Sequence, residues 1–385
     1  MKNSEQTAWS SAYYVNIVRE ALHACGFDAN LVHAISCWPQ IADYFTSHPG
    51  ISHLTFIGSK PVAHEVAKSA SKALTPLCVE LGGKDAAVVL DEPNGRAMSK
   101  GELGRVASII MRGVFQSAGQ NCVGIERVIA LPSAYDALIK MLEPRIKALR
   151  LGNDLDTESV AQEGVDVGAM ISPASFDRLE RLIAEARAQG ARLLAGGHRF
   201  SHSKYPHGHY FAPTLIVDVT PEMRIAQEEL FAPVCVMMRA ASVEEAVRMT
   251  NSTDFGLGCS VFGPTSSLKA RRNLKHVTSA AKAGMIAVND FAVSSEIAQR
   301  LETLSADNLS LAGVLRGPAA LRRSRRIRVR EIRGQRRLAR HMQCQISLLG
   351  QVAGVDQYSY PGASGLPDAL DIPRCCTCPH RSRGI

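Results

Sequence analysis

Aromatic residues supply only 5% of this 385-residue chain, and no run of ~18 or more apolar residues occurs in it. The second absence excludes a transmembrane helix as a sequence-level reading. The opening M-K-N-S-E-Q-T also lacks the apolar core of a secretory signal. Ten cysteines are scattered without the spacing of a small disulfide scaffold, which points to a reducing compartment. The expectation is a soluble, cytoplasmic chain. Its hydrophobic content of 46% suffices for buried cores, and its length suits two or three domains.

The net charge of +8 is not spread along the chain. Between Val314 and His341 stand eleven arginines and a single acidic residue, Glu331. The remaining 33 basic residues face 35 acidic ones, so the rest of the protein is near neutral. An arginine run of this kind can contact phosphates, but aromatic residues are not interleaved with it, and nucleic acid is not the expected partner. Cys375, Cys376, Cys378 and His380 lack a second ligand pair at zinc spacing, so no metal site is expected.

The periodicity indicates an α/β chain. Residues 7–48 carry helical apolar spacing, His53 to Ile57 favours a strand, and Pro61 to Ala73 a helix. Ala86 to Leu90 is a short continuous apolar run, as expected for a strand buried on both faces. A polar loop over 91–103 precedes a helix from about Gly104 to Ser117. Ser172-Pro173 opens another helix, with Phe176, Leu179, Leu182, Ile183 and Ala186 on one face and Gly190 at its end. Strands are expected at Leu193-Leu194, Thr214 to Val217, Val234 to Met238, Val261-Phe262 and Met285 to Val288, with a helix over Val243 to Thr250. Such alternation implies a largely parallel sheet. From about Val293 the periodicity stops.

Two glycine-rich turns carry the chemistry. Phe115 to Cys122 reads F-Q-S-A-G-Q-N-C, and Glu80 opens E-L-G-G-K. A lone cysteine is most often a buried structural residue. A carboxylate at a second turn raises the alternative of a nucleophile with its base, since the thiolate is the reactive form. Gly58-Ser59 follows a strand and precedes a helix, Lys2 and Glu5 stand in K-x-x-E-Q-T, and residues 227–234 read Q-E-E-L-F-A-P-V.

Taken together and in this order, these blocks over residues 2–291 resemble the aldehyde dehydrogenase superfamily. The resemblance implies an α/β fold with a partial Rossmann-type cofactor domain and an α/β catalytic domain built on a parallel sheet. It implies that Cys122 attacks the aldehyde to form a thiohemiacetal and that Glu80 is the general base. It places Gly58 and Ser59 at the cofactor pyrophosphate, Lys2 and Glu5 at the adenosine ribose, Glu229 at the nicotinamide ribose and Phe231 against the nicotinamide. A carboxylate at Glu5 repels a 2′-phosphate, so NAD is expected over NADP. Ala63 and Ala232 stand where the family has glycine.

The expected division is 1–81 partial NAD-binding domain, 82–262 catalytic domain, 263–292 a segment returning towards the cofactor domain, and 293–385 a tail foreign to the family. The family's upstream strands and its asparagine oxyanion donor have no counterpart here, so truncation is expected at the N-terminus, with family-type oligomers and turnover both in doubt. A one-base frameshift over permitted codons for Pro318 to Met342 can encode the family's next motif. The tail is accordingly read as disordered or aberrantly translated, through a retained intron near 293–313. The function implied is oxidation of a small-molecule aldehyde by a nicotinamide cofactor. The alternatives are an inactive truncated homologue and, third, nucleic-acid binding through 314–341.

Overall fold

The computed structural model describes residues 1–156, 160–161 and 164–291. The arginine run, the Cys375–His380 group and the proposed frameshifted tail lie outside the described residues.

The chain begins with β1 (Lys2–Asn3), helix α1 (Ala8–Ala24), β2 (Ile35–Ser36) and α2 (Pro39–Thr46). It continues with β3 (Leu54–Ile57), α3 (Lys60–Ala70) and β4 (Leu77–Glu80). β1 pairs with β2 and β3 with β4, both in parallel, as two separate two-stranded ladders. Much of the apolar surface of residues 1–81 is uncovered: Trp9 is 81% exposed, Trp38 68% and Leu74 87%, and Tyr13, Tyr14, Ile41 and Tyr44 are exposed as well.

The core is built downstream. β5 (Asp85–Val89), α4 (Lys100–Phe115), β6 (Ile125–Ala130) and α5 (Pro132–Lys147) come first. Then follow α6 (Phe176–Ala188), β7 (Arg192–Ala195), β8 (Arg199–Phe200), β9 (Tyr210–Phe211) and β10 (Thr214–Val217). The short α7 (Arg224–Gln227), β11 (Val234–Arg239), α8 (Val243–Thr250), β12 (Gly258–Phe262), α9 (Leu268–Ala280) and β13 (Met285–Val288) complete it. Among the described residues a seven-stranded sheet runs β13-β12-β5-β6-β11-β10-β7, parallel except where β7 meets β10. The expected α/β class with a mostly parallel central sheet is what forms.

Central strands carry no alternation because both faces are covered. Every residue of β5 and β6 is buried, as are the first five of β11. α4 packs with α5, and α8 with α9. The connections β5-α4-β6 and β12-α9-β13 progress across the sheet in opposite senses, so right-handed crossovers put the two helix pairs on opposite faces. Three helix starts are set by serines. Ser99 and Glu102 form a capping box, each side chain accepting from the other's backbone N–H, and Ser242 and Ser267 cap α8 and α9.

Met285–Val288, expected as a strand, pairs in register with β12. Helix α4 begins at Lys100, inside the loop expected over 91–103. Helix α4 stops at Phe115, not Ser117, since Ser117 and Ala118 adopt left-handed backbone angles (φ 56° and 55°). Three left-handed residues in succession, ending at Gly119 (φ 72°), reverse the chain towards Cys122.

Candidate active site

The amino ends of β5, β6 and β11 converge, and the two motif turns meet there. Glu80 ends β4, and its carboxylate accepts from the N–H of Gly82 at 3.1 Å. Gly83 N–H donates to Glu229 Oε1 at 3.2 Å. Gly82 sits at φ 87°, where a Cβ would collide with the Glu229 carboxylate, and a Cβ on Gly83 would press on the Cys122 carbonyl at 2.9 Å. The Gly-Gly pair is thus a spacer whose missing side chains let Glu229 and the cysteine turn approach from two sides.

Cys122 is half-buried in the bend before β6. Asn121 Oδ1 accepts from Val123 N–H at 3.2 Å, and Gly124 N–H closes the turn on Asn121 O at 2.9 Å. Gln120 Oε1 accepts from Ile171 N–H at 2.9 Å, anchoring the bend from outside. Burial pushes the Cys122 thiol up, and the Glu80 carboxylate, both by charge and by hydrogen bond, pushes it further. The amides of Val123 and Cys122 act the other way. The thiol therefore rests protonated beside its carboxylate.

A buried ionic layer lies beneath. Lys84, with no exposed side-chain surface, donates to Glu126 at 2.7 Å. Glu126 accepts from Leu230 N–H (3.0 and 2.8 Å) and Phe231 N–H (2.8 Å). Arg127 ties Lys84 O, Met249 O and Thr250 O at 2.8–2.9 Å. Burial pulls the Lys84 ammonium below the usual lysine range against the pull of Glu126. Glu229 is raised to about 7, first by burial and then by the charge of Glu126. Phe231 takes φ 52° and leaves its side chain 39% exposed.

Of the residues picked out from sequence, Cys122, Glu80, Glu229 and Phe231 are gathered by these contacts. Gly58 joins them through its N–H to Glu80 O at 3.1 Å, and Ser59 precedes α3 without spending its hydroxyl on a capping bond. Lys2 and Glu5 pair with each other at 3.7 Å on the β1 ladder and are not among the contacts that gather the rest. Sequence reasoning missed Glu126, Lys84 and Arg178, which donates to the carbonyls of Glu229 (3.1 Å) and Leu230 (3.3 Å). The available signal was a Glu-Arg pair inside an apolar strand.

Two expectations follow from this geometry. Gly82→Ala should lower stability by ~1–3 kcal/mol from backbone strain and displace Glu229. Gly95 has a similar φ of 80° with no described atom near its absent Cβ, so Gly95→Ala should cost only the backbone term and leave the site intact. Urea unfolding of both, with alkylation of Cys122, checks the contrast. Asp85 is the second. It accepts from Gly258 N–H at 3.0 Å and is raised to about 7 by burial. The folded state therefore holds a proton that the unfolded chain releases near pH ~4, so stability is full below that and falls as pH rises to about 7. The loss is at most ~4 kcal/mol. Asp85→Asn should flatten that slope in melting curves taken across this range.

Comparison with known proteins agrees in family. The profile of the Aldehyde dehydrogenase family matches residues 1–300. An aldehyde dehydrogenase-like protein of Saccharomyces cerevisiae is 52% identical over 299 residues, 76% of this chain and 44% of its own length. One from Schizosaccharomyces pombe is 52% identical over 291 residues, 76% and 52% of the two. This chain thus spans about half the length of the curated relatives it matches. A crystal structure of betaine aldehyde dehydrogenase from Staphylococcus aureus in complex with NAD+ superposes with a TM-score of 0.64 at 26% identity, covering 76% of this chain and 54% of that one. On the profile match and the 52% relatives, the chain belongs to the aldehyde dehydrogenase family.

Proposed function

We propose that the site oxidises an aldehyde to a carboxylic acid through a thioester on Cys122. The observation that carries this is the approach of the two motif turns: a Cβ on Gly83 would press on the Cys122 carbonyl at 2.9 Å, and the Glu80 carboxylate, accepting from Gly82 N–H at 3.1 Å, lies near enough for its charge to raise the Cys122 thiol. The Cys122 thiol gives its proton to solvent, the sulfur adds to the aldehyde carbon, and the C=O electron pair moves onto the oxygen, which becomes the thiohemiacetal oxyanion. The backbone N–H of Cys122 would donate to that oxygen, a contribution of ~3 kcal/mol in comparable sites. A nicotinamide cofactor, when bound, accepts the hydride of the former aldehyde C–H. Glu80 then takes a proton from water as the water attacks the thioester, and the acid departs with the thiol restored.

The residues present suit such a cofactor. Ser59 with the free amides at the start of α3 offers donors for a pyrophosphate. Glu229 offers a carboxyl for sugar hydroxyls, and the exposed Phe231 ring a face for a flat ring. NAD bound to the S. aureus relative supports the same class of cofactor here, and Glu5 favours NAD over its phosphate. Aldehyde-dependent reduction of NAD by the purified chain tests the reading, and absence of reduction at any aldehyde or cofactor concentration would contradict it.

A second reading is favoured by the uncovered aromatic and aliphatic surface of residues 1–81. In it the chain keeps the site's shape but does not turn over. Normal one-to-one alkylation of Cys122 together with no NAD reduction would select it.

A further inference from the structure

We propose that Glu126 is a positioning residue that holds the three motif segments of the site in register, and that its grip on the Glu229–Phe231 turn sets the site's affinity for the nicotinamide end of the cofactor. The proposal rests on reading the site as nicotinamide-dependent. Glu126 lies four residues after Cys122 on β6, and its carboxylate reaches two other segments of the site. Lys84, four residues after Glu80, donates from one side at 2.7 Å. Leu230 and Phe231 amides donate from the other, at 2.8–3.0 Å. One buried carboxylate therefore joins the nucleophile's strand, the base's turn and the cofactor-facing turn.

The grip is two-sided. While Glu126 fixes the amides of that turn, Arg178 on α6 donates to the carbonyls of Glu229 and Leu230 at 3.1 and 3.3 Å. Phe231 stays at φ 52°, unfavourable for a bulky residue, only while its surroundings hold it there. Charge-assisted bonds from N–H to carboxylate are strong enough to do so. With them removed, the turn relaxes towards ordinary backbone angles, and both Glu229 and Phe231 lose their placement.

A merely structural buried ion pair predicts something else: replacing both charges with apolar residues would restore everything. The test is therefore the full chain carrying Lys84→Met and Glu126→Leu together, alongside Glu126→Gln. The double variant leaves neither partner of the pair buried alone, so it should fold and melt above Glu126→Gln, lowered from the parent only by the Leu230 and Phe231 amides that lose their acceptor. Its Kd for NAD should nonetheless rise about tenfold or more, the range seen when positioning partners are lost. Amide exchange at Leu230 and Phe231 should speed up at least ~10-fold while β5 and β6 stay protected. Alkylation of Cys122 by iodoacetamide should change less than about twofold, since the thiol's own turn is untouched. Wild-type NAD affinity and wild-type exchange in the double variant would overturn the proposal. Should both variants fail to fold, the parent alone decides. Leu230 and Phe231 amides protected like those of β11 support it, and loop-like exchange there overturns it. A parent that binds no NAD would sink the functional reading, while the exchange measurement still judges Glu126's hold on the turn.

Discussion

Cys122→Ala is expected to remove aldehyde oxidation altogether, a fall of at least ~10³-fold, because no other group at the site can carry the acyl intermediate. The neighbours cannot substitute. Glu80 is a poor nucleophile towards an unactivated aldehyde, and the buried Cys235 and Cys259 are pushed up to about 12 by burial, far from the thiolate form. Stability should barely change. Cys122 is only half-buried, and the bend is held by backbone and by Gln120 and Asn121. Losing so little packing costs within ~1 kcal/mol. Initial rates of NAD reduction and a urea melt, run on the same preparation, separate loss of chemistry from loss of fold. Retained turnover in the folded variant would remove Cys122 from the mechanism.

Glu80→Gln should separate two roles that a neighbouring carboxylate can play. As activator of water it contributes ~10²–10⁴ to the rate, and the amide cannot replace it, so turnover should drop by that amount. As activator of the thiol it would make Cys122 less reactive when lost. The site's electrostatics point the other way, since the Glu80 charge and hydrogen bond raise the Cys122 thiol. Removing that charge lowers the thiol's pKa, and near neutral pH the thiolate fraction rises. Iodoacetamide should thus alkylate Cys122 in Glu80→Gln at least as fast as in the parent, and up to ~10-fold faster. In the parent the same reaction should keep accelerating with pH through the neutral range, because the thiol titrates above its ordinary value. Slower alkylation in Glu80→Gln would instead make Glu80 the base that withdraws the thiol proton.

Where burial and propensity agree, the elements are legible in sequence. Thr214–Val217 and Val243–Thr250 form as their periodicity indicates, and Met285–Val288 forms by propensity although it is mostly exposed. Ile125–Ala130 is hidden because Glu126 and Arg127 interrupt an apolar run. Only partners distant in sequence, Lys84, Met249, Thr250 and the Leu230 amide, allow those charges inside a central strand. Helix α9 is masked by its polar composition, although Ser267 caps it and Ala270, Leu274 and Val277 mark a buried face at helical spacing. At the site, Glu80 and Cys122 are legible because each stands near glycines whose absent side chains let another segment approach, whereas the Glu229–Phe231 turn has no glycine. Of the residues that hold the motif turns together, Glu126 shows locally only as half of a Glu-Arg pair in an apolar strand, and Arg178 carries no local signal. Their meaning comes from which backbone amides and carbonyls the fold delivers to them.

The most direct test is the mass of the intact Glu80→Gln chain after mixing with an aldehyde and NAD. Slowed hydrolysis should let the thioester accumulate, so the account predicts one acyl adduct on the peptide containing Cys122, formed only when NAD is present and released by hydroxylamine. No adduct, or one on another residue, or one that forms without the cofactor, would contradict it.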